Sequence, residues 1–171
     1  MKIRLEKIGA ESLGWQEAVS IPAASLERTQ LLDLSEVLWT GEIWIENPGF
    51  RFAATYSYQQ TVACDRCLAP VAQPVAGEIG LMLLSSAPQP TEEEVELTIE
   101  DFEILFLEGD EFDPEKVLIE QLQLNVPMRV ICKEDCQGLC PNCGVDRNLE
   151  SCTCDKARID PRWEALRGLK D

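Results

Sequence analysis

Residues 50–59 read FRFAATYSYQ, and this stretch decides the fold. From Phe50 to Tyr58 every second residue is aromatic or alanine, and the positions between them are polar or small. Such a period of two predicts a half-buried β-strand. Residues 42–46 indicate an earlier strand, with a turn at residues 47–49, and a third strand runs from about Val75 to Leu84. Residues 1–84 therefore predict an antiparallel β-meander.

The bulk composition excludes several classes of function. The chain has 171 residues, a formal net charge of −16, eight cysteines and no histidine. Without histidine, catalysis through a Ser-His-Asp triad or a Cys-His dyad is impossible. The negative charge disfavours a general nucleic-acid binder, which must neutralise phosphates with Lys and Arg. The length suits one domain, or one domain with a small appendage.

The acidity is concentrated in one segment. Residues 92–120 contain thirteen Asp or Glu and one Lys, interleaved with apolar residues. This segment is interpreted as an acidic arm at about residues 85–120, either a docking surface for a basic partner or a solvated face. Asp113-Pro114 predicts a helix start, with the helix ending near Asn125. Asp160-Pro161 predicts a second, terminal helix that contains Trp163.

The absence of an apolar signal region and of a long apolar run predicts a cytoplasmic protein. In that reducing compartment, cysteines are more often metal ligands than disulfide partners. Eight thiols, in two groups with short spacings, are the number required by two four-cysteine zinc sites. The candidate ligands are Cys64, Cys67, Cys132, Cys136, Cys140, Cys143, Cys152 and Cys154.

The spacing leaves the division of these ligands open. The preferred partition places Cys140, Cys143, Cys152 and Cys154 in one site, so that Cys64 and Cys67 reach across the fold to Cys132 and Cys136. The rival partition pairs the Cys64/Cys67 knuckle with the Cys140/Cys143 knuckle. In either case two structural Zn²⁺ ions are expected and a catalytic zinc is not, because four thiolates leave no open position for water.

These patterns predict an α+β, β-rich protein with an antiparallel sheet, a few short helices and a zinc-knuckle C-terminal portion. The predicted division is a β-rich domain at residues 1–127 and a cysteine-rich, zinc-binding portion with a terminal helix at residues 128–171. No catalytic residue and no small-molecule or membrane site is predicted.

Three motifs together resemble a known family. They are CDRCL at residues 64–68, ICKEDCQGLCPNCG at residues 131–144, and CTC at residues 152–154 followed by DPRW at residues 160–163. The chain from about Thr40 onward is similar to the bacterial YceD family, also called DUF177. The resemblance implies a non-enzymatic role in accumulation of large-subunit ribosomal RNA. In that family the gene commonly lies beside the gene of a small basic large-subunit ribosomal protein.

Three hypotheses of function follow. In the first, the acidic protein binds a basic large-subunit ribosomal protein and so supports ribosome biogenesis. In the second, it contacts precursor ribosomal RNA through basic residues near the cysteines, including Arg66, Lys133 and Arg147. In the third, Cys64 and Cys67 form a thiol redox pair.

Overall fold

The computed structural model describes residues 2–85, 103–154 and 162. The described part contains two short 3₁₀ turns at Leu5–Lys7 and Ala23–Leu26. Its strands are β1 (Ile3–Arg4), β2 (Leu13–Val19), β3 (Leu31–Leu34), β4 (Val37–Glu46), β5 (Gly49–Ala63), β6 (Pro70–Leu84), β7 (Ile104–Phe106) and β8 (Glu111–Phe112), and its helix is α1 (Pro114–Asn125).

The main sheet has the strand order β2-β4-β5-β6-β7, with β3 paired to the far end of β5. Strands β2, β4, β5 and β6 are antiparallel neighbours, as the meander predicts. The predicted antiparallel sheet does not extend to β7, which lies beyond the predicted meander of residues 1–84 and pairs with β6 in parallel. The residues between these two strands are numerous enough for the crossover that a parallel pair requires. Strands β1 and β8 form a separate antiparallel pair.

Strand β5 is the centre of the fold and behaves as its sequence predicts. Alternate residues from Phe52 to Val62 are buried, and Phe50 is half buried at the strand's beginning. The buried face packs on α1, whose Leu118 and Leu122 are completely inaccessible to solvent. The other face of β5 carries small and polar side chains and Arg51. Burial of one face thus fixes the register of the long β5–β6 hairpin.

The start of α1 confirms the helix start that Asp113-Pro114 predicts. Asp113 is the N-cap residue and Pro114 is the first helical residue, where its missing N–H costs no hydrogen bond. The helix ends at Asn125, whose Nδ2 donates a hydrogen bond of 2.7 Å to the hydroxyl of Tyr56 on β5. The second helix predicted from Asp160 lies outside the described residues. No helix in the described part of the chain is long and apolar enough to cross a membrane.

Part of the acidic segment belongs to the folded structure. Strands β7 and β8 and the first half of α1 all fall within residues 103–120. Phe112 is buried in the core, and Leu105 and Leu107 are partly buried against the same core. Arg51 Nη2 on β5 lies 3.0 Å from Glu103 Oε2 and ties the start of this segment to the sheet. The division into residues 1–127 and 128–171 stays a prediction.

Candidate metal centre

The first pair of cysteines lies in the tight connection between β5 and β6. The N–H of Cys64 donates to the Ala69 carbonyl at 2.9 Å, and the N–H of Leu68 donates to the Cys64 carbonyl at 2.9 Å. Leu68 has a φ of 62°, a left-handed conformation that turns the chain back into β6. The long antiparallel hairpin therefore holds both thiols at the end of the sheet.

Asp65, between these two cysteines, fastens the later cysteine segment to the hairpin. Its Oδ2 accepts a hydrogen bond of 2.6 Å from the N–H of Val130, and its own N–H donates to the Val130 carbonyl at 2.8 Å. Two residues further on, the N–H of Cys132 points at the sulfur of Cys64 with a separation of 3.4 Å. These two hydrogen bonds to Val130 hold the segment that carries Cys132 and Cys136 against the hairpin.

The four sulfurs of this first cluster, Cys64, Cys67, Cys132 and Cys136, lie within 4.8 Å of one another. The Cys64 Sγ–Cys136 Sγ distance is 3.9 Å and the Cys67 Sγ–Cys132 Sγ distance is 3.6 Å. A tetrahedron with metal–sulfur bonds of about 2.3 Å places its sulfurs about 3.8 Å apart. The arrangement thus fits one tetrahedral metal ion, and these distances are far longer than a disulfide bond.

The pKa values in the first cluster show how crowding affects the ionisation of its thiols. Burial raises the pKa of Cys64, but N–H donation from Cys67, Cys132 and Arg66 outweighs burial and lowers that pKa to about 6. Burial and sulfur hydrogen bonds to Cys136 and Cys67 raise the pKa of Cys132 to about 12. One thiolate is therefore stabilised by the backbone, while full ionisation of the cluster requires a cation.

The second cluster consists of Cys140, Cys143, Cys152 and Cys154, whose sulfurs also lie within 4.8 Å of one another. The N–H of Gly144 donates to the Cys140 carbonyl at 2.9 Å, and Gly144 has the positive φ of 76° that this turn requires. Backbone donation from Cys143 and Asn142 lowers the pKa of Cys140 to about 6. Sulfur hydrogen bonding to Cys143, followed by burial, raises the pKa of Cys154 to about 12. As in the first cluster, the backbone lowers the pKa of one thiol while the pKa of another is raised.

The two clusters share the loop that joins them. Gly138, between the last cysteine of one and the first of the other, has a φ of 68°. A Cβ atom at Gly138 would lie 2.9 Å from the Arg66 carbonyl oxygen, which also accepts a hydrogen bond of 2.8 Å from the N–H of Leu139. Asn148 accepts from the N–H of Gln137 at 2.8 Å, and its Nδ2 lies 3.5 Å from Cys136 Sγ. The segment that forms the second cluster therefore supports the first.

The structure groups the eight sulfurs as in the preferred partition, and not as in the rival one. Each predicted cysteine thus lies in one of two four-sulfur clusters that fit a metal ion. Such a closed set of four sulfurs has no free coordination position, and it suits a structural ion better than a catalytic one.

Two of the basic residues near the cysteines, Arg66 and Lys133, have local partners. Arg66 Nη1 donates to the carbonyl of Glu134 at 3.3 Å and to that of Cys136 at 3.0 Å. Lys133 Nζ lies 3.9 Å from Asp135 Oδ1. Arg66 thus has a structural contact that explains its position without a nucleic acid.

The sequence patterns assign Gly138 to the knuckle, but they do not indicate the two side chains that position the ligands, Asp65 and Asn148. One signal was available for Asn148, because Asp146-Arg147-Asn148 has the composition of an Asx turn. The Asp146 carboxylate does accept from both the backbone and the side chain of Asn148, at 2.8 and 2.6 Å. Nothing in the spacing of Asp65 indicates a bond to a residue 65 positions away.

The chain is similar to several mycobacterial proteins. An uncharacterized protein of Mycobacterium tuberculosis and one of Mycobacterium bovis are each 35% identical to the chain over 103 residues, which is 60% of this chain and 47% of theirs. An uncharacterized protein of Mycobacterium leprae is 28% identical over 114 residues, 67% of this chain and 50% of its own. The chain thus spans about half the length of the curated relatives it matches.

No solved structure is significantly similar to the chain. Residues 52–170 match the family described as large ribosomal RNA subunit accumulation protein YceD. This range contains all eight cysteines, β6, β7, β8, α1 and most of β5. The chain belongs to the YceD family.

Proposed function

We propose that the protein is a non-enzymatic factor of ribosome biogenesis that supports accumulation of large-subunit ribosomal RNA in the cytoplasm. The observation that carries this proposal is the match of residues 52–170 to a family described by that role. The proposal assigns two structural Zn²⁺ ions to the protein. Cys64, Cys67, Cys132 and Cys136 hold one ion and Cys140, Cys143, Cys152 and Cys154 hold the other, which is supported by the sulfur separations.

Zinc supplies no reaction step in this proposal. It neutralises thiolates that would otherwise repel one another, and it closes the loops of residues 130–154 against the β5–β6 hairpin. The chain's own contribution is to aim the sulfurs, through the bonds of Asp65 to Val130 and of Asn148 to Gln137. The end of the β5–β6 hairpin, covered by this segment, is then a fixed part of the protein surface that a partner can contact.

The proposed partner is a basic ribosomal protein of the large subunit. A chain of charge −16 attracts basic proteins and repels RNA at long range. Direct RNA contact is the second candidate, but it has less support because Arg66 is engaged with two carbonyl groups. The redox hypothesis has less support because Cys64 and Cys67 share a cluster with two further thiols.

Deletion of the gene in its host tests the proposed function. We expect the ratio of large-subunit to small-subunit ribosomal RNA to fall, and to recover when the wild-type gene is supplied. A Cys64→Ser, Cys132→Ser double variant should fail to restore the ratio, whereas Ser85→Ala, at an exposed position beyond β6, should restore it. An unchanged ratio in the deletion strain contradicts the proposal.

Two measurements on the purified protein test the metal and the partner. Elemental analysis should give two zinc atoms per chain, and one or none contradicts the assignment. Binding to individually purified basic large-subunit proteins should weaken as salt concentration rises, because opposite charges are screened. If the protein binds none of these proteins, the proposed partner is wrong. The gene-deletion experiment then still tests the effect on RNA accumulation by itself.

A further inference from the structure

The two edges of the main sheet differ in how well they are protected. Strand β7 ends one edge with only three residues, and acidic residues stand close to both of its ends at Glu103 and Glu108. Strand β2 ends the other edge with seven residues. No strand in the described ranges pairs with the outer side of β2. Among the strands of the described ranges, the longer edge is therefore the one without a partner on its outer side.

Strand β2 has few of the features that usually prevent edge pairing. Natural sheets protect their edges with charged side chains, especially lysine, with proline, with bulges or with very short strands, and of these β2 has only the carboxylate of Glu17. Residues 13–19 read LGWQEAV and contain no lysine, arginine or proline. Their pairing with β4 runs without a bulge from Leu13 opposite Ile43 to Val19 opposite Val37. The edge is continuous and suited to accept another strand.

The core holds this edge in place. Trp15 packs edge-on against Trp39 at 5.4 Å between ring centroids and is stacked on Phe52 at 6.0 Å. Glu17, the one charged residue of β2, accepts a hydrogen bond of 3.1 Å from Trp39 Nε1. Its carboxylate is thereby directed along the sheet toward β4. A pre-ordered edge loses little conformational entropy when another strand pairs with it.

We propose that β2 pairs antiparallel with β2 of a second copy of this chain, about a two-fold axis at Gln16. This register is the one in which all seven residues of each strand find a partner. Like charges directly opposite each other destabilise a sheet, and no such pair arises here because the single charge falls opposite tryptophan. The facing pairs are Leu13 with Val19, Gly14 with Ala18, Trp15 with Glu17, and Gln16 with Gln16.

The side chains at the edge favour a second copy as the occupant. Leu13 is 45% exposed in one copy, and pairing covers it with Val19 of the other. On the opposite face, Gly14 and Ala18 are too small to obstruct the approach, and two Gln16 amides can exchange hydrogen bonds. The pairing joins two sheets into one continuous sheet through an isologous interface, as two-fold symmetry requires.

Salt dependence separates this dimer from a complex with a basic partner. Each copy carries −16, so long-range repulsion opposes association and added salt weakens that repulsion. We expect the dimer to tighten at least about twofold in dissociation constant between low and high salt. A basic partner shows the opposite trend.

Charge exchange at Gln16 tests the pairing directly, with the full-length, metal-loaded protein in analytical ultracentrifugation. Wild-type protein should shift with concentration toward twice the chain mass of 19.2 kDa. Gln16→Lys and Gln16→Glu should each raise the dissociation constant about tenfold or more, because each places like charges opposite each other. Mixing the two variants should restore the dimer, since lysine then faces glutamate.

Thr55→Lys is the matched control. Thr55 is exposed and lies in the same cross-strand row as Gln16 and Thr40, two strands from the edge, and this variant should dimerise like the wild type. A wild-type protein that stays monomeric at millimolar concentration overturns the proposal. A dimer that is insensitive to Gln16→Lys, or a mixture that fails to recover, overturns it as well.

Discussion

At the scale of single residues, two neighbouring tyrosines of β5 have opposite energetic roles. Both rings are buried and stacked, with centroids 6.3 Å apart. The hydroxyl of Tyr56 accepts a hydrogen bond from Asn125, whereas the buried hydroxyl of Tyr58 has no hydrogen-bond partner in the described part of the chain. A buried hydroxyl without a partner is a net cost to folding. The pair therefore permits a comparison in which ring packing is held constant.

We predict that Tyr56→Phe lowers the free energy of unfolding by about 1 kcal/mol at neutral pH, the usual worth of one hydrogen bond. Tyr58→Phe should leave that free energy unchanged or raise it by up to about 1 kcal/mol. Urea unfolding followed by circular dichroism measures both. Equal losses in the two variants contradict the different roles of the two hydroxyl groups.

The same Tyr58 hydroxyl predicts a dependence on alkaline pH. Burial, followed by repulsion from Tyr56, raises the pKa of Tyr58 to about 12 from an ordinary value near 10. Between pH about 10 and pH about 12 the native state keeps the Tyr58 proton that the unfolded state has lost. The contribution of Tyr58 protonation to the free energy of unfolding is therefore complete below pH about 10 and is lost as pH rises toward about 12. Unfolding free energy should fall across this window in the wild type and fall less in Tyr58→Phe.

Gly138 and Gly144 provide a second comparison at the residue scale. Both have positive φ, but a Cβ at Gly138 would meet the Arg66 carbonyl oxygen at 2.9 Å while one at Gly144 would meet nothing within 4 Å. We predict that Gly144→Ala costs about 1 kcal/mol from backbone strain alone and that Gly138→Ala costs about 2 kcal/mol or more. Urea unfolding of the metal-loaded proteins measures both costs. Equal costs contradict a close approach of the Arg66 backbone.

At the scale of elements, the loop of residues 137–148 links the two cysteine clusters. Removing the Asn148 side chain deletes its bond to the Gln137 N–H and its contact with Cys136 Sγ. We predict that Asn148→Ala weakens metal binding by the first cluster about tenfold, a typical effect of a residue that orients a ligand. Competition with a chelator, followed through the visible spectrum of the cobalt-substituted protein, measures the change.

Gln137→Ala is the control for this prediction. Within the described residues the Gln137 side chain donates to the Asp135 carbonyl, whereas its backbone N–H, which Asn148 uses, is unaffected by the substitution. Metal binding should therefore remain at the wild-type level. If the two variants lose metal equally, Asn148 does not act through Cys136.

The elements also show which features sequence patterns can predict. The period-two pattern of β5 and the Asp113-Pro114 helix start are local signals, and the structure confirms both. Strand β6 begins at Pro70 rather than near Val75, because pairing with β5 extends it into the knuckle. The parallel pairing of β7 and the grouping of the sulfurs depend on contacts between residues distant in sequence, such as Asp65 with Val130. Spacing alone does not encode such contacts.

At the scale of the whole molecule, the apolar core and the cysteine clusters are separate units of packing. The main core contains buried side chains from the strands β1, β3 to β6 and β8 and from α1, and it includes no cysteine. Cys64, Cys67 and Cys136 form a second, smaller cluster at the end of the β5–β6 hairpin. Stability of the sheet therefore rests mainly on apolar burial, and stability of residues 131–154 rests on the metal.

We predict that a chelator unfolds the cysteine-rich segment and leaves the main sheet folded. Removal of metal should abolish hydrogen-exchange protection at residues 131–154, including the N–H groups of Leu139 and Cys140, whose partners are the Arg66 and Val145 carbonyls. Protection across the β4–β5 pairing should persist, since Trp39 and Ile43 lie in the apolar core. Hydrogen exchange with mass spectrometry at rising chelator concentration measures both regions, and added Zn²⁺ should restore the first. Simultaneous loss of both regions contradicts this separation, because it shows that the sheet itself depends on the metal.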